Sequence, residues 1–270
     1  MTADPTTGLF DLRNRVAVVT GGLGQLGREF CTALIGHGAR VAVIDTADAA
    51  NLPVGWGEHA AVFSADVTHR DSLHAAHVAI IDRWGIPQVL VNAAALDSPP
   101  NAPHGENGPF ESYPEASWDR IMEVNVKGVM LCCQVFGGAM AEAGRGSVIN
   151  ISSIYGAVSP DQRIYEYRRR NDDEFYKPVA YSASKSALMN LTRYLATYWA
   201  PRNVRVNTLT MGGVFNDQDP EFLEKYCARV PLGRMAGADD YNGAIVFLAS
   251  DASRYMTGSN LVIDGGWTAW

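Results

Sequence analysis

The chain has 270 residues, 47% hydrophobic and 19% charged, which suits one globular domain with a large core or at most two small ones. Its net charge of −7 argues against a nucleic-acid partner or an anionic membrane surface. The four cysteines, Cys31, Cys132, Cys133 and Cys227, contain no C-x-x-C pair, so neither a zinc site nor a disulfide framework is expected. The opening MTADPTTGLF has no basic stretch followed by an apolar one, and no uninterrupted apolar run reaches about 18 residues. The expectation is a soluble, cytoplasmic protein with no membrane contact.

Strand-like and helix-like segments alternate along the chain. RVAVVT (15–20) is a short β-branched run, and a helix follows from about Gln25 to Gly36 with Leu26, Phe30, Ala33 and Leu34 at helical spacing. ARVAVID (39–45) and AAVFSAD (60–66) read as strands, the segment 71–85 as a helix stopped by a glycine, and PQVLVNAAA (87–95) as a fourth strand. A nearly all-round apolar helix is expected over 117–144, a fifth strand over 146–153 and another long helix over 179–199. A sixth strand (203–210), a helix (238–250) and a seventh strand (260–266) complete the pattern. Near-continuous apolar strands alternating with helices imply a seven-stranded parallel sheet covered on both faces, which right-handed crossovers turn into an α/β doubly wound fold.

TGGLGQLG (20–27) lies where the first strand turns into the first helix. Gly22, Gly24 and Gly27 fit G-x-G-x-x-G, and Gly21, Gly24 and Gly27 fit a second register. In either, the glycines let a phosphate approach the backbone at a helix start whose N–H groups and dipole favour an anion. Alone the pattern is equally a tight turn with no ligand. Context favours the ligand: the second strand ends in Asp45, 18 residues beyond Gly27, and no Lys or Arg occurs in 20–27. A carboxylate there accepts hydrogen bonds from the ribose hydroxyls of NAD and repels the 2′-phosphate of NADP, so NAD is the expected cofactor.

Y-S-A-S-K at 181–185, together with T-G-x-x-x-x-x-G at 20–27, N-V-x-G at 125–128, I-S-S at 151–153 and D-G-G at 264–266, resembles the short-chain dehydrogenase/reductase family. The resemblance runs from Arg15 to Gly266 and implies a single-domain Rossmann fold that moves a hydride between an alcohol or ketone and a nicotinamide. Tyr181 and Lys185 stand four apart on a helix and share a face. A nearby ammonium is expected to lower the phenol pKa from about 10, so that Tyr181 can exchange a proton with the substrate oxygen. By resemblance, Lys185 also holds the nicotinamide ribose, Ser153 bonds the substrate oxygen, and Asn125 kinks the long helix and holds a water of the proton relay. The family pattern further assigns Gly21, Gly24, Gln25, Leu26 and Gly27 to the pyrophosphate loop. It assigns Asp66 and Val67 to the adenine edge, Asn92 and Ala93 to the fourth strand's contacts, and Gly212 and Val214 to the carboxamide. It also implies a homotetramer whose two long helices pair across one interface and whose GGWTAW terminus fits a second.

The sequence departs from the family in several places. N-N-A-G is N-A-A-A here, P-G after the sixth strand is Met211-Gly212, and Gln25 stands where compact members carry glycine. The largest departure is the 28-residue separation of Ser153 from Tyr181, about twice the family's usual one, which implies an inserted loop near 159–178. Its Asp161, Gln162, Arg163, Tyr165 and Arg168–Arg170 suggest either a solvated or intersubunit segment or a polar lid, with Arg163 and Tyr165 as candidate substrate residues. The similarity to sugar-modifying members and gluconate 5-dehydrogenase implies a polar, sugar-like or sugar-acid small-molecule substrate. A 3-oxoacyl-thioester reductase and a non-catalytic dinucleotide-binding scaffold are the competing readings. His74 and His77 lie three apart on a helix, but no carboxylate or cysteine completes a ligand set, so no metal is expected.

Overall fold

The structure, a computed structural model, describes residues 8–47, 52–97, 106–169 and 175–270. Seven parallel strands, β1 (Val16–Thr20), β2 (Arg40–Asp45), β3 (Ala60–Ser64), β4 (Val89–Asn92), β5 (Gly146–Ser153), β6 (Val204–Met211) and β7 (Asn260–Ile263), form one sheet in the order β3-β2-β1-β4-β5-β6-β7. The doubly wound fold expected from the sequence is the fold observed. Alternation along each strand sorts the core into two layers. Ala17, Val19, Val41 and Val43 face helices α1 (Gln25–Gly36) and α6 (Asn242–Ala249), where Phe30, Leu34, Ile245 and Leu248 are buried. Val16, Val18, Ala42 and Ile44 face α2 (Arg70–Trp84), α3 (Glu115–Glu142) and α4 (Val179–Trp199) on the other side.

Helix α3 is long and apolar enough to cross a membrane, but 61% of its most apolar stretch is buried against the sheet and its neighbours. It carries π-helical turns at Glu123–Gly128 and Cys133–Gly137. Cys31, Cys132 and Cys133 are buried, and burial pushes all three thiols up, which makes them inert packing residues. His77 is held against Phe136 with its pKa lowered by burial, and no metal-binding cluster occurs among the described residues.

One helix, α5 (Pro220–Cys227), was not anticipated. Its start signal is present in the sequence: Asp219 caps the Glu221 N–H at 2.8 Å and Pro220 occupies the first turn. Its Phe222 and Tyr226 build a third cluster with Ile154, Tyr155, Ile164, Tyr165, Phe175 and Trp267 over the carboxyl ends of β5 and β6. The C-terminal aromatic segment is thus divided. Trp267 stacks on Tyr226 with centroids 4.4 Å apart inside the same chain, whereas Trp270 is 82% exposed.

Candidate active site

The sheet order reverses between β1 and β4, so the crevice at their carboxyl ends is where a doubly wound sheet holds a ligand. Thr20 closes the base of this crevice by accepting the N–H groups of Ala93 and Ala94, both at 3.1 Å. Gly21 has φ +65°, and a β-carbon there would lie 2.8 Å from the Ala94 Cα; only glycine fits. Helix α1 begins at Gly24 with no side-chain cap and no acidic residue in its first turn. Its first N–H groups therefore point into the crevice without a protein acceptor from a capping side chain, as a phosphate site requires.

Asp45 lies beside this loop. Its carboxylate accepts the Leu23 N–H at 3.0 Å and the Ala47 N–H at 3.1 Å, which fixes it against the glycine turn with lone pairs remaining for a ribose. Leu26 lines the cleft. Asp66 accepts from the Thr68 backbone and hydroxyl, both at 2.8 Å, and Val67 packs beneath it against α3. Asn92 behaves differently from an adenine or ribose contact. Its amide is buried, donating to Asn150 at 2.8 Å and to the Cys133 sulfur at 3.5 Å, so it ties β4 to β5 and α3. Gly212 and Val214 border the cleft beyond β6. These features together fit a dinucleotide: a glycine cradle, uncapped amides, and a carboxylate at the end of the second strand.

The residues that the sequence marks as candidates for proton handling come together at the ends of β5 and α4. Ser153 ends β5 and accepts the Tyr155 N–H at 3.2 Å; its hydroxyl is also hydrogen-bonded to Tyr181. Lys185 is buried and donates from Nζ to the Ile151 carbonyl at 3.0 Å, 5.8 Å from the centre of the Tyr181 ring. Asn125 sits within the first π-helical turn of α3. Its Oδ1 accepts the Leu96 N–H at 2.7 Å, and its Nδ2 donates to the Leu96 carbonyl at 2.9 Å and to Ser184 at 3.0 Å. Ser184 in turn donates to the Tyr181 carbonyl at 2.7 Å, so Asn125 joins the exit of β4 to the helix that carries Tyr181.

The titration of this pair differs from the expectation drawn from the lysine alone. Burial raises the Tyr181 phenol well above its ordinary value, with the Asp97 charge adding to the rise and the Ser153 hydrogen bond opposing it. The same burial lowers Lys185 from 10.5 to about 8. Two groups withdrawn from water each disfavour their charged form, and that desolvation outweighs the ammonium 5.8 Å from the ring.

Comparison with known proteins is consistent with this arrangement. The family model described as "Enoyl-(Acyl carrier protein) reductase" matches residues 24–268, and relatives more than 30% identical align over nearly the whole chain. The chain belongs to the short-chain dehydrogenase/reductase family. D-threitol dehydrogenase of Mycolicibacterium smegmatis is 33% identical over 96% of this chain and 95% of its own length. Galactitol 2-dehydrogenase (L-tagatose-forming) of Cereibacter sphaeroides is 34% identical over 97% and 98%. A short chain dehydrogenase from Leptospira borgpetersenii, solved with bound NAD+, superposes with a TM-score of 0.86 at 30% identity, covering 99% of this chain and 97% of that one. A gluconate 5-dehydrogenase from Burkholderia cenocepacia, in complex with NADP and tartrate, superposes at 0.85 and 26% identity, covering 98% and 99%.

Within this dehydrogenase/reductase frame the insert forms the outer wall of a cleft of about 690 Å³ that contains Ser153 and Tyr181. Its contribution mixes apolar packing with polar groups on the cleft. Residues 162–169 are helical, and Ile164, Tyr165 and Phe175 are buried in the third cluster. Tyr165 reaches the cleft, where its hydroxyl lies 3.3 Å from that of Tyr155. Arg163 does not: its guanidinium is paired with Asp161 at 2.9 Å, and Asp161 also meets Arg229. Arg168 lines the cleft instead and stacks on Phe175 at 4.0 Å, while Arg170 lies outside the described residues. Gln25 donates to the Phe215 carbonyl at 3.1 Å, bridging the glycine loop to the segment after β6. The side chain that broke the glycine pattern therefore closes the cleft's end. Lys177 and Asp97, which sequence reasoning passed over, also line it and pair with one another.

Proposed function

We propose that the chain is an NAD-dependent dehydrogenase that interconverts a secondary alcohol and a ketone on a polar, sugar-like substrate, with Tyr181 as the proton donor and acceptor. The observation that carries this reading is the convergence of Ser153 and Tyr181 on one wall of a cleft, with buried Lys185 behind the Tyr181 ring and with Gln25 and Leu26 at the uncapped start of α1 lining the same cleft. A nicotinamide dinucleotide held at Gly21, Gly24, Leu26 and Gly27 supplies the hydride acceptor or donor. The Ser153 hydroxyl holds the substrate oxygen against Tyr181, which takes the alcohol proton during oxidation and returns it during reduction. Lys185, buried beneath, orients the ribose and stabilises the phenolate as it forms.

Asp45 supports NAD over NADP, because a fixed carboxylate at the end of β2 repels a 2′-phosphate. The printed activities of the threitol and galactitol relatives support a polyol-like substrate. An acyl-thioester reductase is the second reading, favoured by the description of the matched family model and opposed by Asp45 and the net charge of −7. We also propose a cytoplasmic homotetramer, supported by the stacked, exposed Tyr194 and Tyr198 on the outer face of α4.

A screen of polyols, sugars and sugar acids for NADH formation, with Tyr181→Phe as control, tests the proposal. The substitution is expected to lower turnover at least about 100-fold while leaving NAD affinity intact. Undiminished turnover would refute the assigned role, and equal or greater thermal stabilisation by NADP would refute the cofactor assignment.

A further inference from the structure

Four residues before Tyr181, at the end of the insert, the side chain of Lys177 is only 10% exposed and ion-paired with Asp97. Its main chain is clasped by the Gln162 amide, which accepts the Lys177 N–H at 2.9 Å and donates to its carbonyl at 3.1 Å. The ammonium lies 4.7 Å from the centre of the Tyr181 ring, nearer than the 5.8 Å of Lys185, and 6.0 Å from that of Tyr155. Asp97 is fixed from the other side, because it follows Leu96, whose N–H and carbonyl are both held by Asn125. Both charged groups line the cleft that contains Ser153 and Tyr181.

We propose that Lys177 and Asp97 form a subsite for a neutral hydroxyl on the carbon next to the reacting carbinol. The inference rests on the polyol dehydrogenase reading given above and deepens it. A hydroxyl both donates and accepts, so it can bond the carboxylate of Asp97 and take an N–H from Lys177 at once. A substrate carboxylate or phosphate would gain from Lys177 but meet the like charge of Asp97. An alkyl chain would desolvate the pair without replacing its hydrogen bonds, which is unfavourable for charged groups. The pair therefore selects neutral vicinal diols over both sugar acids and acyl chains.

The matched substrates butane-2,3-diol and butan-2-ol differ by that one hydroxyl, and kcat/KM for each is measured at saturating NAD for wild type, Lys177→Met and Asp97→Asn. Wild type is expected to favour the diol. Lys177→Met should lower the diol-to-monoalcohol ratio by about 10- to 100-fold, the range of a charge-assisted hydrogen bond, and Asp97→Asn should lower it in the same direction. Because the ratio is internal to each variant, partial loss of fold does not imitate the effect; should Lys177→Met not fold, the half-exposed Asp97 site decides through Asp97→Asn. In Lys177→Met the pH profile of kcat is expected to keep its shape, whereas Asp97→Asn, which removes a charge that raises the Tyr181 phenol, is expected to move it to lower pH. An unchanged ratio in active variants overturns the subsite, as does an equal loss on both alcohols with a shifted pH profile in Lys177→Met, which would make Lys177 a modulator of Tyr181. A wild type that turns over neither these alcohols nor any polyol overturns the dehydrogenase reading itself, and the subsite with it.

Discussion

The glycines of the candidate cofactor turn differ in what they do, and Gly24→Ala separates a ligand role from a structural one. Gly24 has φ −71° and ψ 172°, a conformation any residue adopts, and an added β-carbon would meet only the Gly21 carbonyl at 3.3 Å. The fold therefore tolerates alanine there, and the lower entropy of the unfolded chain is worth up to about 1 kcal/mol against the slight crowding. A phosphate seated on the first amides of α1 would meet that methyl group, at the roughly 1–3 kcal/mol of an overpacked contact, or about 10- to 100-fold in Kd. At Gly27 the fold itself objects, since a β-carbon would lie 2.1 Å from the Gly21 carbonyl oxygen and 2.7 Å from the Gly22 Cα. Even after about 1 kcal/mol of gained helix propensity, Gly27→Ala should lose stability by about 2 kcal/mol. Urea unfolding of the free proteins and calorimetric titration with NAD give both quantities. Gly24→Ala is expected to match the wild-type urea midpoint and bind NAD weakly. Wild-type NAD affinity in that variant would refute the placement of the pyrophosphate on this turn.

Two further outcomes follow from Tyr181 and Lys185, the pair proposed to handle the proton. Burial lowers Lys185 from its ordinary 10.5 to about 8 in the folded chain, so between those pH values the unfolded chain binds more protons and stability rises with pH. Lys185→Met removes a burial penalty of at most about 3 kcal/mol, so its advantage over wild type in urea unfolding should be largest below pH 8 and vanish by about pH 10.5; a pH-independent difference would contradict this. The raised Tyr181 phenol is neutral at pH 7, ready to donate in ketone reduction but not to accept in alcohol oxidation. The kcat/KM for oxidation should therefore climb from pH 7 to 9, and a maximum below pH 7 would be incompatible with Tyr181 as the base.

The sheet was legible in the sequence because the central strands, buried on both faces, read as apolar runs, and because the segments at the carboxyl ends of β1 and β5 carry residues with narrow chemical uses. Tyr181 and Lys185 were legible for a geometric reason: four residues on a helix share a face. What stayed hidden depended on contacts between distant segments. Asn92 looks like a cofactor residue in a motif, yet its amide N–H groups are spent on Asn150 and Cys133, 58 and 41 residues away. Arg163 looks available until Asp161, two residues earlier, captures it in a bidentate pair. Helix α5 was missed although Asp219-Pro220 announces its start, because the eight residues that follow are too short for helical periodicity to stand out.

The insert shows why substrate chemistry is the least legible part of this family's architecture. Ile164, Tyr165 and Phe175 are buried with α5 and Trp267 in a cluster separate from the two layers that flank the sheet. Changes there can reshape the cleft while leaving Lys185 held on the Ile151 carbonyl, although Tyr181 itself packs against this cluster. The composition of the insert suggested charge recognition because its arginines are conspicuous. Folding spends Arg163 on Asp161, sets Arg168 on Phe175, and turns Arg169 to the carbonyls of Phe175 and Gln162 at 2.9 Å. What the insert brings beside Tyr181 is Lys177, paired with Asp97 from the loop after β4, and the hydroxyl of Tyr165, which meets that of Tyr155 just past the end of β5. On the proposed reading, this wall of hydroxyls and a paired lysine and aspartate offers both donors and acceptors to a neutral molecule with several hydroxyl groups.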